Sequence, residues 1–389
     1  MKKTLFAALS TCLMVGLGVL PMPVLSANLV GKEVVVGWLE PFTGMGSAYG
    51  EEDSVTMNMA VDEINSNGGV GGLPLRIIKY DTSWKGEQAI AMLKKLAQTD
   101  KVLAVMGPYS SAESEVTFPV ANMLKIPILG HAGSAPGLGE KNRPWAFRNV
   151  MPLTKTIEPA FAKWVQMYKI KTIARIYEST DFLNTSEATG ILPPLLKKYG
   201  IQEVSTQTFS KRDINFAAQV TAIKAANPDG IWLSAIYEEG ANIVREMRRQ
   251  GMKQPIVAGV GITGPSFIRL GGQAVEGIIE PSNFWAGNPD PKVQEFVKKW
   301  SAKYKGQLPP HYTVNLYENV YILKQVIETS GVTNEPNNLD KDREKIRNGL
   351  AVLKDFPGVG LKITLGSDGD ALKSSYVLQV KNGVWERID

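Results

Sequence analysis

Apolar and polar positions follow two alternating periods along this chain. Short apolar runs, typical of buried parallel strands, alternate with stretches whose apolar residues recur at helical spacing. In the first part of the chain the pattern predicts strands at 34–38, 75–80, 102–106 and 127–129, and helices at 49–65, 87–98 and 111–124. Strands that alternate with helices in this way predict βαβ units and a parallel sheet.

The same alternation restarts after residue 152. It predicts strands at 172–177, 203–209, 230–235 and 255–258, and helices at 156–168, 185–199, 216–226 and 240–250. Beyond residue 277 the pattern changes to two long helices, at 291–305 and 312–330, and then to short antiparallel strands after residue 358. No Gly/Ser-rich or Pro-rich linker separates the halves, which favours two α/β lobes joined by hinge strands over tethered domains.

The first 27 residues have the pattern of a cleavable secretory signal peptide. Lys2 and Lys3 precede an uncharged, mostly apolar stretch at 5–20, and small residues near Ala27 offer a cleavage site. This stretch is short for a membrane span, so an uncleaved anchor is the less favoured alternative. Cys12, the single cysteine, would be removed with the signal. We therefore expect a periplasmic protein without disulfides or thiol chemistry.

Composition and motifs exclude several classes of function. The net charge of +5 falls to +3 when the two signal-peptide lysines are removed, and no basic stripe is interleaved with aromatics, so we expect no nucleic-acid partner. The two histidines, His131 and His311, are not at metal-ligand spacing. Residues 259–264 match G-x-G-x-x-G, but they lie late in the second half and Pro265 follows, which argues against dinucleotide binding. We expect no metal, no cofactor and no catalytic centre.

Two predicted strand ends carry the candidate binding chemistry. After the apolar runs near 102–106 and 126–129, the chain turns into glycine, serine and other small residues. Open α/β sheets bind ligands at the carboxyl ends of their strands, and a helix start offers free backbone N–H groups to an anion. Tyr109 and other aromatics stand at such ends and are candidates for lining a pocket. The pattern predicts a site that holds a small anionic group.

A series of short motifs supports a more specific assignment. The motifs are Val36-Gly-Trp-Leu-Glu-Pro-Phe-Thr-Gly44, Tyr49-Gly50, Ala60-Val-Asp-Glu-Ile-Asn65, Gly68-Gly-Val-Gly-Gly72, Tyr80-Asp81, Gly107-Pro-Tyr-Ser-Ser111, Phe147-Arg148 and Gly366-Ser-Asp-Gly-Asp370. In this order and spacing, behind a signal peptide, they resemble the periplasmic binding proteins of branched-chain amino acid ABC transporters. These form the type I, or Venus flytrap, class, and the likeness covers nearly all of residues 33–389.

The resemblance implies an α/β fold of two doubly wound, Rossmann-like lobes with a hinge of three crossings and a ligand cleft between the lobes. It places lobe one at 28–149 plus 281–356 and lobe two at 150–280 plus 357–389. It also implies a monomeric periplasmic solute-binding protein that delivers a small molecule to an inner-membrane ABC permease and is not an enzyme. A ligand sensor for a membrane receptor is the alternative, and an exported enzyme is less favoured.

The resemblance also assigns site residues. Relatives hold the ligand carboxylate with a serine after the third strand and with groups after the fourth. These positions correspond to Ser111 and to Ala132, Gly133 and Ser134. The first-lobe aromatic falls at Tyr49, and the second-lobe aromatics fall near Phe182 and Tyr237.

One departure from the family bears on the ligand. In amino acid binders a lobe-two carboxylate, just after the strand at 255–258, pairs with the ligand's ammonium. This chain has Ala258-Gly-Val-Gly-Ile262 there, with Val260 facing the cleft in place of an acid. Asp181, Glu238 or Glu239 would have to substitute, because a buried ammonium without a counter-charge is costly. The ligand is therefore predicted to be an amino acid or a carboxylate without an amine, such as an aromatic or aliphatic acid, with amides and other small polar molecules as further alternatives.

Overall fold

Alternating strands and helices form two α/β lobes, as the apolar pattern predicted. The structure, a computed structural model, describes residues 29–389, so the predicted signal peptide lies outside the described residues. None of the helices in that range combines the length and the apolar character that crossing a bilayer requires.

The first lobe is built on a parallel five-stranded sheet. Its strands are β1 Val34–Glu40, β2 Leu75–Asp81, β3 Val105–Met106, β4 Ile128–Gly130 and β5 Ala146–Arg148. The helices that connect them are α1 Ser47–Ser66, α2 Gly86–Lys94, α3 Ser111–Leu124 and α4 Leu138–Lys141. The strand order is β2-β1-β3-β4-β5. The order reverses between β1 and β3, and the carboxyl ends of strands at such a reversal form a crevice.

The second lobe contains a seven-stranded sheet in the order β15-β14-β10-β9-β8-β6-β7. Five of its strands are parallel: β6 Thr172–Glu178, β7 Gln202–Phe209, β8 Gly230–Ser234, β9 Ile256–Ala258 and β10 Ile279–Ser282. The C-terminal strands β14 Tyr376–Lys381 and β15 Val384–Arg387 join antiparallel at one edge. Helices pack on this sheet: α5 Leu153–Tyr168, α6 Phe182–Thr185, α7 Leu192–Tyr199, α8 Ala217–Ala226, α9 Tyr237–Arg249 and α10 Pro265–Gly271. Its strand order reverses between β6 and β8.

Three late helices return to the first lobe: α11 Pro291–Lys303, α12 His311–Thr329 and α13 Leu339–Ala351. Leu316, Val320 and Ile327 of α12 share a buried apolar core with Val34 and Val36 of β1. The first lobe is therefore assembled from two separate parts of the chain.

The segment after α13 forms a small antiparallel sheet of β11 Phe356–Pro357, β12 Lys362–Leu365 and β13 Ala371–Leu372. Ile363, Leu365 and Ala371 are buried in the same core as β1, so this segment packs in lobe one. The sequence-based division placed 357–389 in lobe two. The structure corrects that boundary, because the chain crosses back only between β13 and β14.

Candidate functional site

The serines after β3 start helix α3 and shape the first wall of the site. Ser110 is the N-cap: its Oγ accepts a hydrogen bond from the N–H of Glu113, whose carboxylate accepts from the Ser110 N–H in return. This capping box leaves the N–H groups of Ser111 and Ala112, in the first turn, without partners inside the helix. An anion placed at this end of the 14-residue helix would be met by donors and by the positive end of the helix dipole.

The turn after β4 closes onto the same helix start. The N–H of Ala135 donates to Ser111 Oγ at 3.1 Å, which joins the two candidate cradles. A Cβ on Gly133 would lie 2.9 Å from Ser114 Oγ and 3.2 Å from the Ser110 carbonyl oxygen, so only glycine allows this close approach.

Arg148, fully buried at the end of β5, fixes the orientation of this turn. Its Nη1 donates to the carbonyl oxygens of Gly133 at 2.8 Å and Ala135 at 2.9 Å. Its Nε donates to Asp370 Oδ1 at 2.7 Å, so the guanidinium is neutralised from the β12–β13 turn. Because Arg148 holds these two carbonyl oxygens, the opposite side of the turn can offer N–H groups to an acceptor.

A cavity of about 40 Å³ lies between these first-lobe groups and the second lobe. It is lined from lobe one by Tyr49, Trp84, Tyr109, Ser110, Ser111, Ala132, Gly133, His311 and Tyr312, and from lobe two by Asp181, Leu183, Ile236, Val260, Gly261 and Thr263. Six of the predicted site residues meet there: Tyr49, Tyr109, Ser111, Ala132, Gly133 and Val260.

Three predicted site residues, Ser134, Phe182 and Tyr237, do not line the cavity. Ser134 is buried in the turn, and its Oγ has no partner among the described residues. Phe182 packs against the apolar cluster around Leu39 and Phe118 of lobe one. Tyr237 packs edge-on against Tyr49, with ring centroids 4.9 Å apart, so it supports the wall from behind.

Aromatic rings form one side of the cavity. Tyr49 stacks on Tyr109 with centroids 4.5 Å apart and on Trp84 at 5.7 Å, and Tyr312 meets Tyr49 edge-on at 5.4 Å. Trp84 was not among the site residues predicted from the sequence. His311 and Tyr312 gave no local signal, since they come from α12, about 200 residues after Ser110 and Ser111.

The two lobes are hydrogen-bonded to each other around the cavity. Tyr49 Oη donates to the Gly261 carbonyl oxygen at 3.0 Å, and Tyr237 Oη donates to the Met45 carbonyl oxygen at 3.3 Å. Ser266 Oγ of lobe two donates to Glu52 Oε1 of lobe one at 3.3 Å. The structure therefore shows the lobes closed on each other.

Asp181 is the one carboxylate among the residues that line the cavity. It caps α6 by accepting the Asn184 N–H at 2.9 Å, and burial raises the pKa of its carboxyl. Of the other two acids considered from the sequence, Glu238 is exposed and Glu239 is buried beside the Arg212 N–H. Asp181 is thus the acid that the fold places within reach of a ligand.

Another buried acid, Glu187, stands behind the Gly259-Val-Gly turn. Its Oε1 accepts the Val260 N–H at 2.9 Å, and burial raises its pKa to about 7. It holds the second-lobe wall of the cavity in place without lining it.

A separate buried group, Glu40, Asp53 and His131, has spacing that could hold a metal ion. His131 Nε2 lies 2.9 Å from Asp53 Oδ2 and 3.4 Å from Glu40 Oε2, and Trp38 Nε1 donates to Glu40. Burial raises the pKa of both acids. His131 packs edge-on against Tyr109, with ring centroids 5.6 Å apart, so this group lies beneath that ring.

The sequence matches a protein-family model and known proteins over most of its length. The family model described as periplasmic binding protein matches residues 33–384. A Leu/Ile/Val-binding protein of Rhizobium johnstonii is 25% identical over 356 residues, which cover 90% of this chain and 92% of that protein.

Solved structures resemble the fold over almost the whole chain. The leucine-binding protein LivK of Thermotoga maritima is 26% identical with a TM-score of 0.81, covering 92% of this chain and 98% of that one. A solute-binding protein of Rhodopseudomonas palustris in complex with 3,4-dihydroxybenzoic acid is 17% identical with a TM-score of 0.81, covering 92% and 96%. The latter likeness concerns the fold alone.

Proposed function

Because this chain belongs to the periplasmic binding protein family and is a solute-binding protein rather than an enzyme, we propose that it captures a small carboxylate-bearing molecule between its lobes and delivers it to an ABC importer. The proposal includes export to the periplasm behind the N-terminal signal. The lobes close on the ligand, because the closed form alone makes contacts to it from both sides.

One observation carries the proposal: the start of α3 and the turn after β4 face one enclosed cavity. No lysine or arginine lines that cavity, so an anion there is held by neutral donors from Ser111, Ala132 and Gly133. Such donors, aligned with a helix dipole and shielded from water, bind a carboxylate well.

Within this class we propose an amino acid as the ligand. Asp181 lines the cavity from the lobe opposite the serines and forms no salt bridge among the described residues, so a ligand ammonium would pair directly with its buried carboxyl. The relatives named above as Leu/Ile/Val- and leucine-binding agree with this choice.

A carboxylate without an amine is the second candidate. The stacked rings of Tyr49, Trp84 and Tyr109 form an apolar wall that suits an aromatic acid. A dihydroxybenzoic acid is bound by one protein of the same fold.

Calorimetry with the ligand found in a thermal-shift screen of amino acids, aromatic acids, aliphatic acids and amides tests the proposal. Ser111→Ala should weaken binding by about 1–3 kcal/mol, since a buried charged group loses a partner. Ser205→Ala, on strand β7 away from the cleft, is the matched control and should leave affinity unchanged. Equal affinity of wild type and Ser111→Ala would refute the carboxylate site.

Asp181→Asn separates the two ligand candidates. If the ligand is an amino acid, this variant should lose most of its affinity because the ammonium loses its counter-charge. If the ligand lacks an amine, removing the buried acid should leave affinity equal or improved.

A further inference from the structure

A second cavity, of about 380 Å³, adjoins the ligand cavity on the hinge side. Thr263 and His311 line both cavities, so the two cavities meet at these side chains. Its walls come from both lobes and from the hinge strand β10; they include Arg269, Glu280, Ser282, Pro310, Leu378 and Trp385. It is far larger than the cavity beside the serines.

Glu280, on β10, is the chemically distinctive group of this second cavity. Its side chain is fully buried, and its Oε1 has no hydrogen-bond partner among the described residues. The other oxygen, Oε2, lies 3.1 Å from Thr263 Oγ1. No cation pairs with it within the described part of the chain, and burial holds the pKa of this carboxyl well above its usual range.

Thr263 is the one hydrogen-bond partner of the Glu280 carboxyl group among the described residues. Thr263 Oγ1 also lies 2.9 Å from the Val260 carbonyl oxygen, and a hydroxyl has one hydrogen to donate. That hydrogen goes either to the Val260 carbonyl oxygen or to Glu280 Oε2, so Thr263 gives Glu280 at most a shared hydrogen bond. Glu280 Oε1 is thus left without a donor among the described residues, on a residue that lines the second cavity.

His311 supplies a second polar atom to the same space. Its Nδ1 is buried without a partner in the described residues, and burial lowers the pKa of the imidazole to about 3, so the ring is neutral. A neutral imidazole offers one acceptor nitrogen. Two unsatisfied groups on facing elements, one from the hinge and one from α12, converge on one cavity.

We propose that the second cavity receives the far end of the ligand, and that this end carries a hydrogen-bond donor, an ammonium or a hydroxyl, that contacts Glu280 and His311. The inference rests on the proposed function, since it places the carboxylate of the same ligand at Ser111. It narrows the substrate class to carboxylates that are polar at both ends. An ammonium would also restore charge to Glu280 as its counter-ion.

Matched probe series test this inference by calorimetry. Diaminobutyrate, ornithine and lysine end in an ammonium; homoserine, hydroxynorvaline and hydroxynorleucine end in a hydroxyl; aminobutyrate, norvaline and norleucine end in a methyl group. We expect at least one polar-ended probe to bind about tenfold or more tighter than its methyl counterpart. Which polar series binds tighter distinguishes an ammonium from a hydroxyl.

Variants assign the effect to the second cavity. Glu280→Gln should remove most of the preference for the polar end while methyl-ended probes change little. Ala286→Leu, which narrows the same cavity without touching Glu280, should weaken the longest probes most. Glu87→Gln, at an exposed acid on α2 that lines neither cavity, is the control and should change neither the preference for the polar end nor the binding of the longest probes.

The outcomes separate the two proposals. If methyl-ended probes bind as tightly as polar-ended ones, or if Glu280→Gln leaves the preference intact, the second-cavity inference is wrong while the carboxylate site stands. If none of the nine probes binds but a carboxylate without a hydrogen-bond donor at its far end does, the inference is likewise wrong. If no carboxylate binds at all, the proposed function fails and the inference fails with it.

Discussion

Arg148 links the turn after β4 to the C-terminal part of the chain. Its guanidinium is fully buried, holds the Gly133 and Ala135 carbonyl oxygens, and pairs with Asp370. This contact explains why Phe147-Arg148 and Gly366–Asp370, distant in sequence, both belong to the motif series. The pair positions the turn that lines the cavity beside the serines, and neither residue lines that cavity itself.

Removing the acid of this pair should be costly. Asp370→Ala leaves the Arg148 charge buried without its partner, which destabilises proteins by about 3–5 kcal/mol. Urea unfolding measures the change, and calorimetry should show weaker ligand binding at temperatures where the variant is folded. Glu51→Ala breaks the exposed ion pair with Lys305 and should change stability by less than about 1 kcal/mol. Similar losses in both variants would contradict this role of Arg148.

Site residues could be predicted from the sequence only where a local pattern of neighbouring residues marks them. Ser111 and Gly133 follow apolar runs, so the strand-end rule identifies them. Thr263, His311 and Glu280 were missed because each lies in a turn, a helix start or a hinge strand whose proximity to the site depends on how the lobes close. Asp181 was considered as one of three acids, and only the fold distinguishes it from Glu238 and Glu239.

The glycine-rich stretch at 259–264 is shaped by close packing. A Cβ on Gly259 would lie 1.8 Å from Glu187 Oε2, and one on Gly261 would lie 2.5 Å from the Ala235 carbonyl oxygen. Gly264 has φ +113°, which L side chains rarely adopt. The G-x-G-x-x-G match thus arises from a tight turn over a buried carboxyl.

This packing predicts a large difference between two glycine substitutions. Gly259→Ala forces Glu187 or the turn to move and should cost about 1–3 kcal/mol of stability, because overpacking a filled site displaces its neighbours. Gly190→Ala is the matched control: a Cβ there meets nothing within 4 Å, so the change should be neutral or stabilising. Urea denaturation of both variants tests this, and a Gly259→Ala protein as stable as Gly190→Ala would show that the turn adapts.

Elements with a clear local pattern were predictable from the sequence. The predicted helix at 111–124 matches α3 at both ends, because its capping box and apolar spacing are local. The three-residue strands β4 and β9 were also predicted, because each lies in an apolar run. Strands β5 and β10 were missed, because β5 ends in Arg148 and β10 contains Glu280 and Pro281, which interrupt an apolar run. Such strands are fixed by neighbours in the sheet rather than by their own pattern.

Closure of the whole molecule places a carboxyl group between the lobes. Glu52 of α1 accepts hydrogen bonds from Tyr312 of its own lobe and from Ser266 of the other. Burial raises its pKa to about 8 from an ordinary value of 4.5. The native protein therefore keeps a proton that the unfolded chain releases between these two pH values.

The sign of the resulting pH dependence follows from this difference. Wherever the native state binds more protons, stability falls as the pH rises, by up to about 1.4 kcal/mol per pH unit for one group. Glu52→Gln should make the fall between pH 5 and pH 8 shallower. Glu187 acts in the same direction, so part of the slope remains.

Urea unfolding at pH 5, 6, 7 and 8 measures these slopes. Glu344→Gln, on the exposed face of α13, should give the wild-type slope. Parallel curves for wild type and Glu52→Gln would mean that Glu52 is ionised in the closed protein.

The interleaved path of the chain has a consequence for synthesis. Lobe one needs Ile363 and Leu365 to complete its core, and lobe two needs β14 beside β10 to complete its sheet. Neither core can be finished until nearly the last residues have left the ribosome. A chain exported as we propose would stay without a finished core during translation, in the state that threading through a narrow secretion channel requires. Folding would then follow translocation, with both lobes completed almost together.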